Sequence, residues 1–571
     1  MECLQSFGYE VSRLSCDGYM SEICTVMTAA RVSFNSAEAE KLNICRSCRL
    51  ARESLMSSSK IKSMFIDEYL VGNISTGKSD ILADIDISNW HSFEIDGVPI
   101  GRFASYEFLL EHKIDPKNMT DELWPQYFTH LEQCVLTYQA TNEILQSIKP
   151  DVAFVYNNLY SVNHTFESVM SLRGIPTFRI HGGLDFRHIH ETLCLSQGVS
   201  VNLRANKSEE WLEASHRILE RDQIKQVFNN QIYLLKSKSF LTYSRAVSRT
   251  DQNALRRKYS ISEFQRVLIC ATSSPDEMSA AALVDNSMSV PVSSIFADQI
   301  DWLEALIEIA KRRSDYHILI RIHPREFPNM RDAVKSEHAL ALTSALVDLP
   351  SNVSVIWPID DVSIYDLLKI ANVLLTGISS VGGEFLSLGI PVICHEGLKL
   401  NAYPPECVSV LSRREDYEDL IDTVLENGVD LKKVVTYFRW KTFQFRNLST
   451  SPLRTRLRRM VWRAGSNLYY SGRLKHLRNW NIGSKLGIRM FMSGSRISKD
   501  EKLRIDHTVR NSLSSLMASP LKTKAKNIQL AEESNLVQAS VNKLRKAAGL
   551  ASLCLPVDDD GVPPRTSSHT F

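Results

Sequence analysis

Apolar residues in this chain gather into short unbroken runs, separated by stretches with helical spacing. His317–Ile322 and Val373–Thr376 are two such runs, each followed at once by a polar loop, HPRE and GISSVGG. Val267–Ala271, Pro391–Cys394 and Cys407–Leu411 have the same character in the second half, and Asp151–Asn158 and Gly174–Gly183 in the first. Runs too apolar to alternate and joined by helices predict strands of a parallel sheet covered on both faces. Helices are expected over Leu123–Ile148, Ser161–Arg173, Phe296–Arg313 and Tyr417–Glu426, where apolar positions recur every three to four residues. The segment TYFRWKTFQF, within Lys432–Phe445, predicts a late helix that crosses back onto the first half.

In parallel sheets ligands bind at the carboxyl ends of the strands. That edge collects Ser273 and Ser274 after one strand, Arg321, His323 and Arg325 at the end of the next, and Gly377, Ser379, Ser380 and Glu384 after a third. Glycines for tight turns, hydroxyls and cationic or neutral donors in one place suit a phosphate-bearing ligand. Glu384, one turn into its helix, is placed to accept from sugar hydroxyls. Alone, Ser379-Ser380 reads as an N-cap and His323-Pro324 as a strand terminator; the pair on one edge favours ligand binding. Glu277, with Asp276, also suits the first turn of a helix opened by Pro275.

IRIHPRE followed by TGISSVGGEFLSLGIPVI resembles the carboxyl-terminal half of the capsule-polysaccharide glycosyltransferases. It is similar as well to CDP-glycerol glycerophosphotransferases and bacterial sialyl- and polysialyltransferases. The resemblance covers residues 150 to 445 and extends only loosely to the first 150. It implies an α/β fold of the GT-B type, two Rossmann-like domains facing across a cleft. It also implies His323, Ser379 and Ser380 on the donor phosphate and Glu384 near the ribose. On that reading residues 1–250 form the acceptor-side domain and 251–430 the nucleotide-sugar domain. Residues 431–450 are the crossover helix, 451–525 a basic amphipathic extension and 526–571 a partly disordered tail.

Within the first domain, GYEVSRLSCDG predicts a strand with too little chain before it for a preceding strand and glycine-rich loop, so the opening strand is expected to be missing. His181, ahead of two glycines and close to Asp185, His188, His190 and Glu191, is a candidate general base. A half-buried structural cluster is the plainer account of those histidines. Asp17 is a rival base. Cys16, Cys24, Cys45 and Cys48 place four of eleven cysteines within 33 residues, with a Cys-x-x-Cys pair among them. They suggest a structural zinc, against the alternative of scattered reduced thiols.

The 571 residues carry a net charge of only +2, which lends no support to nucleic-acid binding. No run approaches the 18 or so apolar residues of a membrane span. Eleven cysteines without a visible secretory signal fit a reducing compartment. From Pro452 to Ser498, however, there are eleven Lys or Arg and no Asp or Glu. There Leu453, Leu457, Met460, Val461, Ala464 and Leu468 share a helical face flanked by Arg454, Arg458, Arg459 and Arg463, the pattern of a helix lying in an anionic membrane surface. A basic RNA-binding arm and a plain solvated helix are the alternatives for that segment.

The expected protein is therefore a glycosyltransferase with a nucleotide-sugar donor, cytidine nucleotides favoured, and a polysaccharide or lipid-linked glycan acceptor. It is expected to be cytoplasmic, peripheral at the inner face of the plasma membrane. No catalytic cofactor is expected, since Asp84-x-Asp86 lies outside the donor edge. Two alternatives stand beside it. His181-Gly182-Gly183-Leu184 is loosely similar to a segment of the nucleotide-sugar 2-epimerases. A catalytically inactive scaffold in a polysaccharide export complex is the non-enzymatic reading.

Overall fold

The computed structural model describes residues 2–56, 61–70, 80–189, 192–197, 208–237, 243–248, 250–285, 295–329, 333–360, 362–377, 379–395, 403–450, 499–511 and 530–553. Its first half is built on two small sheets. Strands β1 (Ser12–Ser15) and β2 (Lys62–Phe65) pair in parallel, while β3 (Ala153–Tyr156) runs parallel to β4 (Thr177–Gly182), which is antiparallel to β5 (Leu193–Gln197). Among the described residues no hydrogen-bonded ladder joins the two sheets. Helices α1 (Ile100–His112), α2 (Trp124–Ser147) and α3 (Ser161–Leu172) supply its main core, around Phe103, Phe108, Tyr127, Leu131 and Val169. Helix α4 (Arg221–Leu235) closes the half.

The second half is one six-stranded, all-parallel sheet. It comprises β6 (Arg266–Ala271), β7 (Tyr316–Arg321), β8 (Val353–Ile356), β9 (Val373–Thr376), β10 (Val392–Cys394) and β11 (Ser409–Val410), in the order β11-β10-β9-β6-β7-β8. Every residue of β7 and β9 is buried, as strands covered on both faces require. The chain starts in the middle at β6, steps outward to β7 and β8, then returns to β9 on the other side of β6. This is the doubly wound Rossmann order, and the reversal between β6 and β9 opens the crevice where such sheets bind ligands.

Helix α5 (Pro275–Val284) follows β6 in the chain, yet its Ala280 and Val284 belong to the core of α1–α3. Arg179 of β4 reaches Asp285 just beyond α5 at 3.3 Å, and is held from its own side by Glu167 at 2.9 Å. Helix α6 (Gln299–Arg312) covers the other face of the sheet, placing Trp302, Leu303 and Leu306 against it. The six-residue α7 (Val381–Leu386) follows the β9 loop.

The expected crossing helix is α8 (Leu431–Arg446). Its Trp440 packs edge-on to Trp211 with ring centroids 5.0 Å apart, and the chain beyond it pairs Thr450 with Leu193 of β5. The tail expected over 526–571 contains an ordered helix, α9 (Leu530–Ala548). Val537, Val541 and Leu544 of α9 are buried in the main core, and each such side chain contributes about 1.5–3 kcal/mol by burial. The basic stretch 452–498 lies outside the described residues; the helix Lys499–Arg510 follows it. Among the described residues no helix is long and apolar enough to cross a membrane.

Candidate functional site

Hydrogen bonds tie the loop after β6 to the loop after β7, and beside them the Thr376 hydroxyl at the end of β9 donates to the carbonyl of Ala271 at the end of β6 at 3.1 Å. Thr272 is the hub. Its hydroxyl lies 3.2 Å from the carbonyl of Arg321 and accepts the backbone N–H of His323 at 2.9 Å. Ser273 donates its N–H to Gln299 Oε1 at 2.7 Å. The Ser274 hydroxyl lies 2.6 Å from Asp276 and 2.8 Å from Glu326, so it is engaged inside the protein.

His323 receives the backbone N–H of Arg325 on Nδ1, at 3.3 Å. A ring that accepts on Nδ1 carries its proton on Nε2 when neutral. Burial, with Arg321 and Arg325 nearby, pulls its pKa down to about 4, so it is neutral at physiological pH. His323 is thus a neutral donor through Nε2, and Tyr243 packs edge-on to it with centroids 5.6 Å apart. Arg321 is buried and directs Nη1 to the carbonyl of Ile322, while its Nε has no partner among the described residues. Burial lowers its pKa to about 10.

Arg325 differs from its expected place on a donor phosphate. Its guanidinium grips Asp276 at 2.8 and 3.0 Å and donates to the carbonyl of Leu110 in α1. Glu277 stands 3.5 Å from the same group. Arg325 and Glu277 therefore lock the β7 loop to α5 and α1. Lys113, at the end of α1, adds a bond to the carbonyl of Arg325 and another at 2.9 Å to that of Val334.

On the β9 side, a Cβ on Gly377 would lie 2.9 Å from His395 Nε2, so only glycine fits there. Ser379 is half-buried, its hydroxyl accepting the N–H of Val381 at 3.3 Å and its carbonyl accepting from Tyr403 at 3.1 Å. Ser380 is exposed. Glu384 accepts the hydroxyl of Tyr365 at 2.6 Å, and burial raises its pKa to about 7. Lys441 of α8, unforeseen from the sequence, stands in the electrostatic reach of Glu384 and Asp185, and burial lowers its pKa to about 8.

In the first half, His181 is the penultimate residue of β4, half-buried and without a ring hydrogen bond among the described residues. Burial and then Arg179 lower its pKa, which keeps it an unprotonated base. Asp185 is buried and saturated: Arg187 contacts both its oxygens at 3.1 and 2.8 Å, and Gln226 lies at 3.2 Å. His188 stands 4.0 Å away, and His190 and Glu191 lie outside the described residues. Asp17 is held by Arg52 at 2.6 Å, in the β1–β2 lobe. Both aspartates hold structure; His181 alone of the three retains a free side chain.

Cys16, Cys24, Cys45 and Cys48 lie in one region, but among the described residues no three His, Cys, Asp or Glu side chains are gathered to hold a metal ion. Cys16 Sγ accepts the N–H of Gly18 at 3.2 Å, and Cys24 faces the N–H groups of Val26 and Met27 at a helix start.

No family model matches this chain, and no curated protein matches it. Solved structures do align with it at low scores. A Thermosulfurimonas dismutans KpsC, a beta Kdo 2,4 transferase, is 13% identical over 52% of this chain and 80% of that one, with a TM-score of 0.31. A Methanocaldococcus jannaschii UDP-GlcNAc 2-epimerase is 14% identical over 66% and 90%, with a TM-score of 0.26. The glycosyltransferase SnogD from Streptomyces nogalater is 10% identical over 69% and 90%, with a TM-score of 0.25.

Proposed function

We propose that the protein is a glycosyltransferase of the GT-B kind, moving a sugar from a nucleotide-activated donor to a surface polysaccharide or lipid-linked glycan. The observation that carries this reading is His323, a neutral Nε2–H donor at the carboxyl end of β7, tied by its N–H to Thr272 just after β6, next to the strand-order reversal of a parallel sheet. A phosphate at that point would meet His323, the N–H groups and hydroxyls of Ser379 and Ser380, and the field of Arg321. As the nucleotide leaves, its oxygen gains negative charge, and donors already aimed at it lower the barrier. His181 would take the acceptor hydroxyl's proton, a role its lowered pKa permits. The His-Pro and Ser-Ser resemblance favours cytidine nucleotides. The basic segment 452–498 supports docking at the anionic, cytoplasmic face of a membrane.

A thermal-shift panel of CMP, CDP, UDP, GDP and their sugars tests the donor, because a ligand bound only by the folded chain raises its stability. Incubation with any nucleotide sugar that binds should then release free sugar slowly. Failure of every nucleotide and nucleotide sugar to bind would overturn the proposal, and C2 epimerisation of the sugar would replace it with an epimerase.

A further inference from the structure

Residues 243–248, on the path from α4 to β6, are fastened beside the ligand edge. The chain leaves α4 through Ser237, in the left-handed region at φ 47°, and Val247 returns its N–H to the carbonyl of Leu235 at 3.0 Å. The Ser237 hydroxyl donates to the carbonyl of Ser244 at 2.7 Å. From the other side the Ser363 hydroxyl donates to the carbonyl of Arg245 at 2.7 Å, and Asp366 accepts the N–H of Ser248 at 2.7 Å. Ser363 caps, and Asp366 belongs to, the short helix Ile364–Leu367, whose Tyr365 bonds Glu384. The strap is thus held by α4 on one side and by the second half on the other.

At its start Tyr243 meets the β7 loop at two points. Its ring packs edge-on to His323, with centroids 5.6 Å apart and planes at 66°, and its hydroxyl accepts from Arg325 Nη1 at 3.4 Å. The groups that pin the strap, Ser363 and Asp366, are 2% and 3% exposed, whereas Tyr243 is half-buried. A ring placed only to fill space would be covered as they are.

We propose that Tyr243 is the platform on which the base of the donor nucleotide stacks while His323 holds its phosphate. A nucleotide carries a flat π surface one pentose away from its phosphate, so an aromatic ring beside a phosphate donor matches its two ends. Stacking tolerates every base, since each has a π face. Tyr243 therefore adds affinity for the nucleoside and leaves the choice of base to hydrogen bonds elsewhere. The proposal rests on the nucleotide-sugar reading and adds to it a contact from the segment that links the halves.

The test measures the affinity of the full-length protein for its best-binding free nucleotide, by calorimetry, and for pyrophosphate, by competition against that nucleotide. The ratio of the two affinities cancels any effect that a variant exerts through His323 or Arg325. Tyr243→Leu should lower this ratio about tenfold, the size of one lost stacking contact. Tyr243→Phe, which keeps the ring, should hold it at the wild-type value. An unchanged ratio in Tyr243→Leu, or an equal fall in Tyr243→Phe, would overturn the platform and leave the parent function standing. Should Tyr243→Leu fail to fold, Tyr243→Trp decides: its added indole emission should be quenched by the nucleotide and not by pyrophosphate, and quenching by both or by neither would overturn the platform. Binding of nucleotide sugars without free nucleotides would also overturn the platform alone. A wild type that binds no nucleotide or nucleotide sugar would overturn both.

Discussion

Arg325 and Asp276 form a two-point ion pair, with both side chains 8% exposed. Because the guanidinium also reaches the Leu110 carbonyl, the pair ties the β7 loop to helices of the other half. Asp276→Asn would leave a buried cation with only Glu277, half-exposed and 3.5 Å away, as counter-charge. Removing one partner of such a pair costs about 3–5 kcal/mol. Denaturant unfolding should show a loss of that size, whereas a loss below about 1 kcal/mol, typical of an exposed pair, would contradict the burial.

His323→Ala should do the reverse. It removes the Nε2 donor, and a hydrogen bond to a charged group is worth about 1.5–3 kcal/mol, so nucleotide affinity should drop about tenfold or more. The melting temperature should move little. Unchanged affinity in calorimetry would take His323 out of the donor site.

Acid should destabilise the fold well before ordinary carboxylates titrate. Burial lowers His130, His164, His317 and His323 to about 4 and His395 to about 3, from a usual 6.5. Between pH 6.5 and 4 the unfolded chain binds protons that these folded histidines refuse, so stability falls as pH falls. Glu107 and Glu384, raised to about 7 by burial, act in the opposite sense, since stability linked to their protonation is lost as pH rises from 4.5 to 7. Burial also raises Glu111, Glu167 and Glu326 and lowers His181 and His338, so among the described residues seven lowered histidines stand against five raised glutamates. The melting temperature should therefore drop between pH 6.5 and 4.5, and His130→Gln should make the drop shallower.

Helix α9 is part of the core. Glu533, completely buried, accepts the N–H of Leu219 at 2.8 Å and pairs with Arg439 of α8. Leu544→Ala should cost about 2–5 kcal/mol, as buried leucines do. Truncation at residue 525 should be more damaging still, and a native-like melting temperature after it would contradict this packing.

The membrane proposal is tested without disturbing α9. Each basic residue near an anionic surface is worth roughly 1 kcal/mol within a Debye length. The wild type should pellet with anionic but not neutral vesicles, and about 0.5 M salt should release it, since the Debye length shrinks to a few ångströms. Changing Arg454, Arg458, Arg459 and Arg463 to Gln should abolish pelleting and leave nucleotide binding intact. Equal binding to neutral vesicles would give the segment another purpose.

The second sheet is legible in the sequence because β7 and β9 are covered on both faces, and that leaves unbroken apolar runs. The ligand edge is legible with it, since His323 and Ser379 follow those runs directly. Partnerships across long separations are not. Arg325 reads as a free cation until Asp276, 49 residues earlier, is seen beside it. Lys441 sits in TYFRWKTFQF, where nothing local tells which helix face meets Gly383 and which meets water. In α9, Val537, Val541 and Leu544 do recur at helical spacing, but their partners in α4 and α8 lie some hundred or more residues away.

The position of α5 bears on how the chain is made. Ala280 and Val284 complete the core begun by α1, α2 and α3. A ribosome that has released residues 1–250 has therefore exposed a half whose apolar face is still open. That face closes only when the chain reaches residue 284, by which time β6 has emerged without β7 or β9 to pair with. The nascent protein thus finishes its first core using a helix whose own sheet does not yet exist.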